Sequence, residues 1–137
     1  MNRSASPCIA VMARAPVAGR CKSRLAAKLG AARATSIYKA MLLDTLAAIE
    51  QTFDARLVVA ATPEEDGVAA LRALAPARWE LLPQRGEGLG ERLANVLRDL
   101  EAPAVALVDS DSPTAAWSAA AHAFRGGRTQ TRSKIGL

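Results

Sequence analysis

Four short apolar runs, each followed by a longer stretch with helical periodicity, constrain the fold of this chain more than any other feature. The runs lie at residues 9–13, 57–61, 79–82 and 104–108. They are apolar at consecutive positions rather than at alternate ones, which predicts strands buried on both faces. Strands of this kind that alternate with helices are typical of a mostly parallel sheet with helices on both sides. The sequence therefore predicts a three-layer α/β/α fold of the Rossmann-like class.

The stretches between the runs carry apolar side chains at every third or fourth position, as amphipathic helices do. Within this pattern Thr62, Pro63 and Glu65 have the residue types of a helix start with a capping box. Residues 14–29, in contrast, are interpreted as a loop that precedes a long helix. Because ligands bind at the carboxyl ends of the strands in such sheets, the loops after the strands are expected to carry the site.

Length and composition narrow the class of protein further. A chain of 137 residues fits one domain. Its apolar runs are too short to span a bilayer, and residues 1–7 are too polar for a secretory signal. Cys8 and Cys21 lack the spacing of a metal site and are interpreted as reduced thiols. A cytoplasmic location without a membrane partner is therefore expected.

Charge is distributed unevenly along the chain, whose formal net charge is +5. No acidic residue precedes Asp44, and the same segment holds eight cations: Arg3, Arg14, Arg20, Lys22, Arg24, Lys28, Arg33 and Lys39. This asymmetry predicts an anionic partner. Aromatic residues, at 4% of the chain, offer few surfaces on which bases could stack, so the phosphates of a small ligand are favoured over nucleic acid.

The loop after the first run concentrates positive charge where phosphate would bind. Pro16 and Gly19 bend its backbone, so that amides and side chains can converge on a pyrophosphate. The spacing of a Walker phosphate loop is absent, and a solvated basic loop is the alternative. The cations lie within eleven residues of one another: Arg14, Arg20, Lys22 and Arg24.

The loop after the third run is rich in glycine, with Gly86 and Gly88 expected to allow close approach of a ligand. Gln84 offers an amide that could bind a base or a sugar. Arg92 falls in the first turn of the next helix, where the helix dipole disfavours a cation, so an anion is expected near it. The alternative is a flexible turn with an arginine that faces solvent.

The loop after the fourth run places Asp109 and Asp111 two residues apart at a strand end. Carboxylates in this position can hold Mg²⁺ or Mn²⁺ together with ligand phosphates, while helix capping is the alternative role. The catalytic residues are unknown at this stage. The only histidine, His122, lies among alanines on a predicted helix and is interpreted as structural.

Three segments, 12–25, 82–93 and 109–114, together resemble the motifs of one family in their order along the chain. This is the bacterial glycosyltransferase-like family of the radical-SAM/selenodomain-associated transferase type. It belongs to the nucleotide-diphospho-sugar transferase superfamily with a GT-A fold, in which molybdenum-cofactor and phospholactate guanylyltransferases are more distant relatives. The resemblance extends over about residues 9–124.

The resemblance implies roles for individual residues. Lys22 and Arg24 would contact the nucleotide phosphates, and Asp111 would hold the metal ion. The glycine loop would line the nucleotide pocket through Gly86, Gly88 and Arg92. The chain departs from the family at position 109, where the family pattern has glycine.

A second departure concerns the end of the chain. A segment of the type Gly-Pro-x-x-Asp-Gly-Gly-Tyr, expected after the acidic motif, is not found in residues 125–137. We therefore expect a GT-A-like domain at 1–128 that is incomplete at its C-terminus. An atypical and disordered tail is expected at 129–137.

These observations predict a transferase that uses a nucleoside diphosphate-sugar or a nucleoside triphosphate with Mg²⁺ or Mn²⁺. It would move a glycosyl or nucleotidyl group to a small-molecule acceptor. Two alternatives remain at this point. One is a catalytically inactive, truncated nucleotide-binding remnant, and the other is a basic nucleic-acid-binding module.

Overall fold

The structure is a computed structural model that describes residues 6–19 and 22–110. Arg20, Cys21 and Asp111 lie outside the described residues, as do the predicted helix after Ser112 and the tail at 129–137. The predictions made for them are therefore not addressed by the structure.

The described chain contains four strands, which form one fully parallel sheet in the order β3-β2-β1-β4. Every strand end falls within one residue of the end predicted from the apolar runs. The predicted fold class, a parallel α/β sheet, is confirmed. The strands are β1 (Cys8–Ala13), β2 (Arg56–Ala61), β3 (Glu80–Pro83) and β4 (Val105–Asp109).

The helices are α1 (Ser23–Leu29), α2 (Ala31–Thr52), α3 (Gly67–Leu74) and α4 (Leu89–Leu100). The interpretation of 14–29 as loop throughout was wrong, because its second half forms α1. This helix has seven residues, too few for a clear apolar period, and its contact with α2 stabilises it. The backbone N–H of Gly30 closes it by donating to the carbonyl oxygen of Ala26 at 2.8 Å.

The predicted capping box after β2 is wrong. The chain forms a short 3₁₀ helix, Glu64–Asp66, in which Glu65 has a left-handed backbone with φ of 58°. Helix α3 then begins at Gly67 without a side-chain cap. A Cβ atom on Gly67 would lie 1.9 Å from the carbonyl oxygen of Thr62, so the start of α3 is set by close backbone packing rather than by capping.

Two apolar clusters cover the two faces of the sheet. On one face, α2 and α3 pack against β1 and β2 through side chains such as Leu46 and Leu71. On the other, α4 contributes Val96 and Leu100, which pack against small strand residues such as Ala10. With both faces covered, the strand ends are the parts of the sheet left to form a site. Among the described helices, none combines the length and the apolar character that a transmembrane span requires.

Candidate functional site

A cavity of about 670 Å³ lies at the carboxyl ends of the strands. Every strand contributes to it: Ala13 ends β1, Thr62 and Gln84 follow β2 and β3, and Asp109 ends β4. Pockets that hold small molecules in proteins have volumes of about 300–1,000 Å³, so this cavity is large enough for a nucleotide-sized ligand.

Five of the residues predicted for the site line this cavity: Arg14, Lys22, Gln84, Arg92 and Asp109. Five others are described but do not belong to the lining: Pro16, Gly19, Arg24, Gly86 and Gly88. The difference between Lys22 and Arg24 has a simple cause. Lys22 precedes α1 in a left-handed conformation with φ of 52°, whereas Arg24 lies within the helix and is exposed. Because Lys22 lies before the first turn of α1, the loop backbone sets the direction of its side chain, whereas the helix sets that of Arg24.

Tyr38 fixes the loop after β1 against the cavity. This residue of α2 is 4% exposed. Its hydroxyl group accepts a hydrogen bond from the backbone N–H of Arg14 at 3.1 Å and donates one to the carbonyl oxygen of the same residue at 2.9 Å. The Oγ of Ser110 lies 3.4 Å from the same hydroxyl group. One side chain thus connects the cationic loop to the segment that follows β4.

Gln84 is held in a fixed orientation at the end of β3. Its backbone N–H donates to the carbonyl oxygen of Ala61 at 2.8 Å, and its side-chain Nε2 donates to that of Ala60 at 2.7 Å. The residue is 5% exposed. Because the amide nitrogen is bonded to the sheet, the Oε1 atom is the part of the amide suited to accept a hydrogen bond from a ligand.

Arg92 forms an ion pair with Glu64 in the lining of the cavity. Its Nη2 donates to Oε1 of Glu64 at 2.6 Å, and its Nη1 donates to Oε2 at 3.4 Å. Its Nε donates to the carbonyl oxygen of Gly86 at 2.8 Å. The anion expected near this cation is therefore Glu64 of the same chain. The hydrogen bonds from Arg92 hold the pKa of Glu64 below its ordinary value, and Arg14 lowers it further.

Several lining residues were missed by the sequence analysis: Tyr38, Thr62, Glu64, Glu87, Leu89 and Ser110. Thr62 and Glu64 directly follow β2, so the rule that directed attention to strand ends could have found them. The segment was interpreted as the start of a helix, so its residues were not considered for the site. Thr62 also carries a buried Oγ1 atom that has no hydrogen-bond partner among the described residues. Such an atom is uncommon in proteins and favours a polar partner outside the described residues.

Asp109 lines the cavity as a single carboxylate at the end of β4. Within 6–19 and 22–110, the structure contains no group of three or more histidine, cysteine, aspartate or glutamate side chains that could hold a metal ion. Mg²⁺ commonly binds one or two carboxylates together with substrate phosphates. Asp109 could hold such a cation only together with a ligand, since the described residues do not form a complete metal cage.

Comparison with solved structures defines the class of fold. The chain superposes on the crystal structure of a putative nucleotide-diphospho-sugar transferase from Desulfovibrio desulfuricans G20 with a TM-score of 0.78 and 24% sequence identity. The match covers 87% of this chain and 53% of that chain, so this chain spans about half the length of the structure it matches. The fold is that of the GT-A-like nucleotide-diphospho-sugar transferases.

The family follows from the sequence comparison. Residues 45–127, more than half of the chain, match the family described as "Uncharacterized protein conserved in bacteria (DUF2064)". The chain belongs to this family. No curated protein matches it.

Proposed function

We propose that this chain binds a nucleoside diphosphate-sugar or a nucleoside triphosphate in the cavity and transfers a glycosyl or nucleotidyl group to a small acceptor. The observation that carries the proposal is the lining of the cavity. Arg14 and Lys22, from the loop after β1, share it with Asp109 at the end of β4. The fold shared with the putative nucleotide-diphospho-sugar transferase supports the glycosyl-transfer form of this proposal. The resemblance of segments 12–25 and 82–93 to the radical-SAM/selenodomain-associated transferases supports it as well.

In this proposal the cations bind the phosphates and stabilise the negative charge that develops on the leaving phosphate group. Gln84 would accept a hydrogen bond from the base or the sugar, because its amide nitrogen already donates to Ala60. The polar groups of the cavity therefore have complementary roles towards one nucleotide.

Asp109 would hold Mg²⁺ or Mn²⁺ jointly with the phosphates, and Asp111 remains the second carboxylate that the sequence predicts for this ion. A divalent cation supplies charge neutralisation for the phosphate oxygens. The structural basis is the position of Asp109 on the lining that it shares with Arg14 and Lys22.

Calorimetric titration with nucleoside diphosphates in the presence of Mg²⁺ or Mn²⁺ tests the phosphate site. We expect Lys22→Ala to weaken binding at least tenfold, about 1.4 kcal/mol. Arg24→Ala is the matched control. It also removes one positive charge, two positions along the chain, but the side chain of Arg24 does not line the cavity. Equal losses in the two variants would indicate a diffuse basic surface, and no loss in either would refute the phosphate site.

The same titration tests the metal ligand. The metal ion should strengthen nucleotide binding by the wild-type chain, and Asp109→Asn should abolish that gain while leaving metal-free binding intact. A gain that survives the substitution would assign Asp109 a structural role. Turnover of nucleotide sugars, followed by release of the nucleoside phosphate, then separates a transferase from a protein that only binds.

A further inference from the structure

We infer that Glu64 is an internal competitor for phosphate: its carboxylate occupies Arg92, and a ligand phosphate must displace it to bind there. This inference rests on the proposed function, because it concerns the same cavity and an anionic ligand. In this inference Glu64 lowers the affinity of the site for phosphate, although it does not itself contact the bound phosphate.

The hydrogen bonds of Arg92 explain why displacement is required. A guanidinium group binds phosphate best through two parallel N–H groups, either at its end or along its side. The end pair, Nη1 and Nη2, is occupied by Glu64, and the Nε of the side pair donates to the carbonyl oxygen of Gly86. Both pairs of N–H groups through which Arg92 could bind a phosphate therefore already donate to groups of the protein.

The exposed fractions of the two side chains indicate which of them moves when a phosphate binds. The side chain of Arg92 is 16% exposed, and that of Glu64 is 51% exposed. Arg92 also keeps its bond to Gly86 when Glu64 departs, whereas the carboxylate of Glu64 can return to water. The exchange therefore replaces one anion by another at a fixed cation, with no rearrangement of the glycine loop.

The opposite role for Glu64 makes a different prediction. If Glu64 served to position Arg92 for the ligand, its removal would weaken phosphate binding. If Glu64 competes, its removal strengthens binding. The sign of the change in affinity distinguishes the two roles, and a loss of fold cannot produce a gain in affinity.

The experiment measures the affinity of inorganic pyrophosphate for the full chain by calorimetry. We expect Glu64→Gln to tighten binding at least fivefold at an unchanged melting temperature. Glu65→Gln is the matched control for net charge, since Glu65 is the next residue and does not line the cavity. Asp99→Asn, which opens the similar Arg85–Asp99 pair outside the cavity, is the control for breaking an ion pair. Both controls should change the affinity by less than twofold.

A second background confirms that the effect acts through Arg92. In an Arg92→Met chain, the further change Glu64→Gln should tighten pyrophosphate binding by less than twofold, because only the repulsion between the carboxylate and the ligand is then removed. Unchanged or weaker binding by the single Glu64→Gln variant, with a wild-type chain that binds pyrophosphate, overturns the inference and leaves the proposed function standing. Absence of binding by both the wild-type and Glu64→Gln chains overturns the inference and the proposed phosphate site together.

Discussion

The two ends of the sheet contain similar ion pairs that have different surroundings. At the amino end, the Nε and Nη2 of Arg56 donate to Glu80 at 2.8 and 3.0 Å, and its Nη1 donates to the carbonyl oxygen of Leu100 at 3.0 Å. At the carboxyl end, Arg92 likewise makes two bonds to a carboxylate and one to a carbonyl oxygen. The chemistry of the two arginines is thus nearly the same.

The difference lies in what else can reach the pair. The side chains of Arg56 and Glu80 are 19% and 27% exposed, and the fully buried Trp79 directly precedes Glu80 at the start of β3. Glu64, in contrast, is half exposed and lines a cavity. An ion pair in a filled region connects elements of the fold, whereas the same pair beside a cavity is available for exchange with a ligand. Four predictions test this contrast through stability.

The greatest loss of stability is expected at the amino end of the sheet, where Trp79 is buried. Trp79→Ala should lower the free energy of unfolding by about 3–5 kcal/mol, because the side chain is 1% exposed and its removal leaves a cavity in the core. Urea denaturation measures the loss. A loss below about 1 kcal/mol would show that this end of the sheet is not tightly packed.

Arg56→Met should cost about 2 kcal/mol, since it leaves the carboxylate of Glu80 and the carbonyl oxygen of Leu100 without their donor. The double variant Arg56→Met with Glu80→Met should recover part of the loss, because neither charge is then left unpaired. Glu64→Gln, at the other end, should leave the melting temperature unchanged. An equal drop in melting temperature for the two ion pairs would remove the contrast between the ends.

The amino end also predicts a dependence of stability on alkaline pH. Burial raises the pKa of the Cys8 thiol from 9.0 to about 12. The unfolded chain loses this proton first, so ionisation of the thiol favours unfolding, and stability declines as the pH rises from about 9 towards 12. The slope from one such group is at most about 1.4 kcal/mol per pH unit. Unfolding between about pH 8 and 10.5 should show a shallower decline for Cys8→Ala than for the wild type, and identical slopes would contradict this assignment.

The smallest effect is expected in the glycine loop at the cavity end. Gly86 has φ of +120°, and a Cβ atom there would lie 2.8 Å from the Cγ of Glu91. Gly86→Ala should cost about 1 kcal/mol. Gly88 has φ of −111°, and a Cβ atom on it would enter open space, so Gly88→Ala should cost only about 0.5 kcal/mol, through the poorer N-cap that alanine offers α4. Equal costs would show that the loop adapts to a side chain at either position.

Much of the fold was predictable because it depends on local patterns. Consecutive apolar residues such as those around Val58 specify a strand buried on both faces, and their alternation with helices leaves few arrangements of a sheet. The short helix α1 and the turn at Glu64–Asp66 were not predictable in this way. The first is stabilised by contact with α2, and the second requires that Gly67 has no Cβ atom, which would collide with the carbonyl oxygen of Thr62.

Periodicity and charge along the chain were sufficient to predict the α/β class, the strand positions and the concentration of cations after β1. The folded arrangement selects which of the described cations line the cavity: Lys22 does, and Arg24 does not. It also brought Glu64 to Arg92, 28 positions along the chain. The physical reason is that periodicity and charge are properties of neighbouring residues, whereas the partner of a charge depends on where parallel strands end side by side. That arrangement exists only once the sheet has formed.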